Sequence, residues 1–349
     1  MKLGATPGDI SNRFNSQGVN MRAIGKAAIA VLVVSAVFMA GCGDRHSKKE
    51  VYYLIATNMN LPYWQSAAAG FNKAAAQYKV TARVVGPETY DPAAELAELQ
   101  KAVATKPAGI LISVADASVV QPGIDAAMTA GIPVITMDSD AAGSHRLFFI
   151  GTNNLEAGRL GGKRVIEKLG GKGNVIFFTL TSQPNTDERL KGFKDVFATR
   201  PDIKIVDVVD IKGDARNAFD KTQELLALTG PKKIDGFVCL EASSGKVVAD
   251  AIKRGGGGRE LLAFDVDQDT LNAIKEGTID ATIAQKPFTM GYVGLKGLDE
   301  IFHVAPKDLM KDYTQNSFSP YPVFVDTGTS LVDQSNVDVY LASAAEGTK

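Results

Sequence analysis

Short apolar runs and amphipathic stretches alternate along most of this chain, at a repeat of roughly 25–30 residues, and that rhythm is the signature of βαβ units. Val51–Ala56, Thr81–Val85, Gly109–Ser113 and Pro133–Met137 read as strands. Between them, Trp64, Ala67, Ala68, Phe71, Ala75 and Tyr78 recur at three- and four-residue steps and share one helix face. Asp91 and Pro92 form a cap and first-turn pair for a second helix carrying Leu96, Leu99 and Val103, and Val119–Met128 reads as a third. The series restarts at Asn174. Val175–Leu180, Ile203–Val209, Gly236–Leu240 and Leu261–Phe264 read as strands, with helices over Leu190–Phe197, Phe219–Leu228 and Lys246–Ile252. Leu271–Glu276 is a further helix with Gly277 just past its C-cap, and Tyr321–Val325 is a late strand. Strands that are apolar at nearly every position fit sheets buried on both faces. The expected fold is therefore α/β: two similar lobes, each a parallel sheet flanked by helices. At 349 residues the chain is long enough for both.

Composition excludes several functions. The formal net charge is −1, from 38 Lys and Arg against 39 Asp and Glu, so no basic field exists to hold nucleic acid. Two cysteines make no disulfide framework, and His46, His145 and His303 lack metal-ligand spacing; neither metal nor cofactor is expected. Cys239, inside the apolar run Gly236–Leu240, reads as a buried structural thiol. No Gly-x-Ser-x-Gly elbow, P-loop or His-Glu-x-x-His sequence is present, and the Gly255–Gly258 loop is too irregular for a phosphate fingerprint. An enzyme is not expected. A transcriptional regulator would need a helix-turn-helix head before Val51.

That space carries an address instead. Residues 1–41 read as a polar tail and an export signal, with Arg22 and Lys26 preceding the apolar run Ala27–Ala40, whether translation starts at Met1 or Met21. The run is shorter than the ~20 residues a membrane-spanning helix needs. It ends in Met39-Ala40-Gly41-Cys42, which resembles a bacterial lipobox and implies acylation of Cys42 and a lipid-anchored location in the cell envelope. The charged residues 42–49 would then be a tether.

In open parallel sheets ligands bind beyond the carboxyl ends of the strands, so the residues just after each strand are the ones to read. Ile55-Ala-Thr57-Asn58-Met-Asn-Leu-Pro-Tyr63-Trp64 and Gly131-Ile-Pro-Val-Ile-Thr-Met-Asp138 are two such segments. The first resembles the first strand and first helix start of the ribose-type periplasmic sugar-binding proteins, and the second their strand ending in a ligand-binding Asp. Gly151-Thr-Asn-Asn154 is similar to the first hinge crossing, and Arg189-Leu-Lys-Gly-Phe193 to the helix carrying a ligand-binding Arg. Ala263-Phe-Asp265 and Ala281-Thr-Ile-Ala-Gln285 match the last two binding segments. The resemblance runs from Val51 to about Asp338. It implies two Rossmann-like doubly wound lobes joined by a three-crossing hinge, residues 50–151 plus 286–312 in lobe one, 152–285 plus 313–340 in lobe two, and 341–349 as a tail. It further implies a monomer that captures a small sugar or polyol without catalysis and delivers it to an ABC transporter permease. The alternative is a ligand sensor feeding a chemoreceptor or histidine kinase.

The implied ligand residues are Thr57, Asn58, Tyr63, Trp64, Ser113, Asp138, Ser139, Asp140, Arg189, Glu241, Asp265 and Gln285. Aromatic rings stack on the C–H face of a sugar, carboxylates accept from adjacent hydroxyls, and a guanidinium offers a fixed fork of donors. Each also has an ordinary reading: Tyr63 and Trp64 as core, Asp138 and Asp265 as helix caps, Arg189 as a surface ion-pair partner. Where the family often has Asn, Asn, Arg, Phe and Asn, this chain has Leu61, Ser113, Ser139, Gly213 and Glu241. The run Asp138-Ser139-Asp140 resembles branches that bind other ligands, including deoxysugars and autoinducer-2. A pocket with Asp138, Asp140, Glu241 and Asp265 against Arg189 would be rich in acceptors and would suit a polyol or an amine-bearing ligand. Because these side chains are expected to project into the cleft, their removal should leave the fold intact.

Overall fold

In the computed structural model, residues 46–347 are described, apart from 305, 307 and 314–316. The export signal, the lipobox with Cys42 and most of the tether lie outside them. The chain divides into a unit of Met1–Ser47, of which only His46 and Ser47 are described, and a unit of Lys48–Lys349 that holds all the regular structure below.

Two six-stranded sheets form from one plan. The first runs β1 (Val51–Ile55), β2 (Thr81–Val85), β3 (Gly109–Ile112), β4 (Val134–Met137), β5 (Phe149–Gly151) and the late strand β11 (Phe324–Asp326). The second runs β6 (Gly173–Thr179), β7 (Ile203–Asp210), β8 (Gly236–Cys239), β9 (Glu260–Phe264), β10 (Ala281–Ala284) and β12 (Ser330–Asp333). Their spatial orders, β11-β5-β4-β3-β1-β2 and β12-β10-β9-β8-β6-β7, match strand for strand, each sheet closing on a late strand at the same edge. All pairings are parallel except β10–β12. Leu54, Ile55, Ile110, Leu111 and Ile112, and Ile176, Phe177 and Phe178, have no exposed surface, as sheets covered on both faces require.

Helices α1 (Pro62–Tyr78), α2 (Pro92–Ala104) and α3 (Ala117–Thr129) link the first four strands, and α5 (Pro184–Phe197), α6 (Ala215–Leu226) and α7 (Gly245–Arg254) their counterparts. Asp91 caps α2 by accepting from the Ala93 and Ala94 N–H groups, and Gly277, at φ +76, follows α8 (Gln268–Lys275), both as expected. The sequence reading leaves out β5, β12 and three helices, α4 (Asn154–Lys168), α9 (Pro287–His303) and α10 (Val337–Gly347). Of these, α4 and α9 pack tightly through glycines. A Cβ on Gly158 would lie 2.0 Å from the Arg189 carbonyl oxygen, and one on Gly291 would lie 2.1 Å from that of Ala67. Glycine at these crossings is what lets α4 meet α5 and α9 meet α1 backbone to backbone, and it also blanks the apolar periodicity that reveals a helix.

The chain passes between lobes three times, after β5, after β10 and after β11. The third passage differs from expectation. The family resemblance implies residues 313–340 together in lobe two, but Phe324–Asp326 pairs in parallel with Phe149–Gly151 of the first sheet. The chain then turns at Gly328, φ +80, and β12 joins the second sheet antiparallel to β10. The turn is tied to the first crossing: the Thr327 N–H and hydroxyl both donate to the Gly151 carbonyl.

Candidate functional site

The carboxyl ends of the two sheets face each other across a cavity of about 510 Å³, counting its mouth. Because the sheets repeat, each lobe offers an equivalent set of loops. The fourth strand of each ends in an aspartate, Asp138 after β4 and Asp265 after β9. Both adopt the left-handed backbone region, φ +62 and +74, and their N–H groups bond equivalent carbonyls, Ile150 and Ile283. That conformation is uncommon for a residue with a side chain, tolerated best by Asn and Asp, and concentrates at functional sites. Neither aspartate is a helix cap; Asp267 takes that role for α8.

Asp138 is 4% exposed. Its Oδ1 accepts from the Tyr63 hydroxyl at 2.7 Å, and its Oδ2 from Ser113 Oγ at 3.0 Å and from Asn185 Nδ2 at 3.3 Å. Asn185 belongs to α5, so this last bond spans the cleft. Burial pushes the Asp138 carboxyl up, against the pull of Arg189 and of its three donors. Asp265 accepts from Gln285 Nε2 at 2.8 Å, and burial pushes its carboxyl up to about 7 despite Arg189.

Arg189 is not a surface partner. It is 2% exposed, and it donates Nε to Asn154 Oδ1 at 2.9 Å, one terminal nitrogen to the Leu240 carbonyl at 2.7 Å and the other to Gln285 Oε1 at 2.8 Å. Its guanidinium carbon sits 4.5 Å from the centre of the Phe264 ring. Three of its five N–H groups are thus committed to the scaffold. Gln285, at the second crossing, also accepts from Thr152 of the first crossing at 2.8 Å, so one amide joins two hinge strands, the arginine and Asp265.

Tyr63 and Trp64 sit in the first turn of α1, with Pro62 at its start, and meet edge to face at 5.1 Å. Trp64 is 3% exposed; it packs on the first core and lines the cavity, so it serves as core and wall at once. Thr57, Asn58 and Glu241 line the cavity as well.

Three expected ligand residues fall elsewhere. Ser113 stands behind Asp138 as its donor. Ser139 is fully buried and does not line the cavity. Asp140 is drawn away into a two-pronged ion pair with Arg146, 2.7 and 2.5 Å, and accepts from Thr136 Oγ1 at 2.5 Å. Glu241 borders the cavity, but its four acceptor positions are filled by the N–H and hydroxyl groups of Ser243 and Ser244, which lead into α7. The acceptor-rich pocket therefore shrinks to two carboxylates facing one guanidinium.

The structure adds residues that sequence reading missed. Gln183, Asn185 and Thr186 line the cavity from the start of α5, which begins at Pro184, six residues before the apolar Leu190 that marked the helix. The available signal was Pro184, the counterpart of Pro62 in α1. Tyr90, from the loop before α2, lines it too.

A sequence profile described as a periplasmic binding protein domain matches residues 52–302. The chain belongs to the periplasmic binding proteins. Among its relatives is the ribose import binding protein RbsB of Bacillus subtilis, 24% identical over 80% of this chain and 93% of that one. Among solved structures, a sugar-binding protein of a sugar ABC transporter from Bacillus halodurans is 35% identical, with a TM-score of 0.71 over 83% of this chain and 99% of that one. A carbohydrate transporter solute binding protein from Agrobacterium radiobacter, in complex with D-arabinose, is 26% identical, with a TM-score of 0.75 over 85% and 99%. These relatives are binding proteins rather than enzymes, and the fold is the two-lobed, type I form of the family, with three crossings between the lobes.

Proposed function

We propose that the protein captures a small, neutral, hydroxylated ligand, a sugar or polyol, between its lobes and delivers it to an ABC transporter permease from a lipid anchor at Cys42. The observation that carries this reading is the pair of strand-end aspartates, one per lobe, facing one cavity with Arg189. Two carboxylates that still have acceptor capacity suit hydroxyl donors, and the two uncommitted N–H groups of Arg189 suit hydroxyl acceptors. Tyr63, Trp64 and Leu61 supply an apolar wall for a C–H face. A neutral ligand fits better than an amine-bearing one, because Asp140 and Glu241 are already satisfied by Arg146 and by Ser243 and Ser244. The ribose and arabinose named for the relatives support the same class. Contacts from both lobes to one ligand exist only with the cleft closed, so binding favours closure.

The test is calorimetry with D-ribose, D-arabinose, D-xylose, D-galactose and xylitol, alongside glucosamine and amino acids. Saturable binding of a sugar or polyol with Asp265→Ala at least tenfold weaker is expected. Binding of only the amines or amino acids sinks the proposal.

A further inference from the structure

The second βα loop of each lobe meets its counterpart across the cleft. In lobe one that loop carries Tyr90, between β2 and α2; in lobe two it carries Gly213, between β7 and α6. Tyr90 belongs to the first lobe by its chain position and by its hydroxyl, which donates to the Ala115 carbonyl at 2.8 Å. Its ring nonetheless packs against the apolar core of the second lobe and lines the cavity. Gly213 makes this possible. A Cβ there would lie 2.6 Å from Tyr90 Cβ and 3.3 Å from the ring, and its φ of +73 is a conformation glycine takes without strain. The hydroxyl's anchor is itself braced from behind: the Ala115 N–H donates to Glu95, a fully buried carboxylate on α2. Burial raises the Tyr90 phenol, and Asp116 and Glu95 of its own lobe, then Asp210 and Asp187 of the second, raise it further.

We propose that Tyr90 and Gly213 form a cross-cleft latch: the first lobe supplies a wall of the ligand site that is completed only when its ring seats on the bare backbone of Gly213. Tyr90 is thus a residue that sets affinity and selectivity through closure, and it rests on the reading of the cleft as a ligand site. The two equivalent loops have diverged into a plug and a socket. A ligand substituent extending toward this corner competes with the ring for the socket, so the latch favours compact ligands.

Two experiments separate the latch from the ligand reading. A Tyr90→Cys/Gly213→Cys variant under mild oxidation should give a disulfide-linked peptide pair joining positions 90 and 213, found by mass spectrometry. This trap needs no ligand, since transient closure suffices, and a small shift brings the Cβ atoms to disulfide spacing. A folded double variant that yields no such pair overturns the latch. Calorimetry with the five sugars and polyols above then compares Tyr90→Ala, Tyr90→Phe, Gly213→Ala and the Tyr90→Ala/Gly213→Ala pair. Tyr90→Ala and Gly213→Ala should each weaken binding about tenfold or more, and the pair should be no weaker than the weaker single variant, because the shared contact is lost once. Tyr90→Phe should stay within about threefold of wild type. Single variants that bind like wild type, or losses that multiply in the pair, overturn the latch. If wild type binds none of the five, the sugar reading falls, and the trap alone decides the latch.

Discussion

Arg189→Ala is expected to damage the fold as well as the site, contrary to what a side chain projecting into a cleft would do. The guanidinium is buried and holds three acceptors from three different segments: Asn154 at the start of α4, Leu240 at the end of β8 and Gln285 at the second crossing. Gln285 Oε1 keeps the Thr152 hydroxyl after truncation, but the Asn154 and Leu240 acceptors lose this donor. Buried acceptors left unpaired cost about 1–3 kcal/mol each. The stack on Phe264 is lost as well, and Asp138 and Asp265 lose the cation that opposes their upward shift. Removing one partner from a buried charged group typically costs about 3–5 kcal/mol, and the two orphaned acceptors together give about 2–6 kcal/mol, which brackets it. Thermal unfolding by circular dichroism should therefore fall by roughly 10 °C. Hydrogen exchange should quicken in residues 154–168 and 236–241, and sugar binding should be lost. Arg189→Lys keeps the charge but reaches only part of this network, so its stability should fall between the two. An Arg189→Ala protein that melts within about 2 °C of wild type, with unchanged exchange, would refute the argument.

Four further outcomes are expected. Asp265, raised from 3.8 to about 7 by burial, favours the folded state most when protonated; that contribution is complete below about pH 4 and is lost as pH rises through about 7, worth roughly 4 kcal/mol at most. The melting temperature of Asp265→Asn minus that of wild type should therefore grow from pH 4 to pH 8, and a difference that stays flat would show that the carboxyl is not held protonated. Gly158→Val should lower stability by at least about 2 kcal/mol in denaturant titration, since its Cβ would collide with the Arg189 carbonyl across the α4–α5 crossing. Trp64 is the only tryptophan, so Trp64→Phe should abolish any sugar-induced fluorescence change while losing less calorimetric affinity than Trp64→Ala. Cys42→Ser should block acylation and lipoprotein-type cleavage, seen as altered processing of a protein whose wild type fractionates with the membrane; wild-type protein that stays cytosolic with residues 21–41 intact would remove the anchor.

The repeated strand–helix rhythm was legible because strands buried on both faces must be apolar throughout, and helices between them must carry one apolar face. Of the helices that escaped notice, α4 and α9 are rich in glycine at their contact faces, where close approach replaces side-chain packing. In the site, Asp138, Asp265, Arg189 and Gln285 could be placed by their position after strands or on a matched helix. Asp140 and Glu241 could not be sorted from them by type or spacing. What separates them is partnership: Arg146 captures Asp140, and Ser243 and Ser244 saturate Glu241. Such local satisfaction depends on side-chain direction, which sequence spacing carries only weakly. The placement of β11 was missed for a related reason, since Tyr321–Val325 reads as a strand whichever sheet it joins.

The duplicated architecture also explains why the two halves of the cleft differ in chemistry. The helix after the first strand of each sheet begins with proline and turns its opening residues to the cavity, yet α1 presents Tyr63 and Trp64 where α5 presents Asn185 and Thr186. The second loops pair a ring with a bare glycine. The fourth strands keep the same aspartate in the same strained backbone. An apolar lobe closing on a polar one buries two carboxylates with a single guanidinium between them. Their remaining acceptor positions gain partners only from a molecule that brings its own donors. Closure of this kind is most favourable around a ligand with hydroxyls on its rim and C–H groups on its face, and an apolar ligand of equal size would leave Asp138 and Asp265 desolvated without hydrogen bonds to replace water.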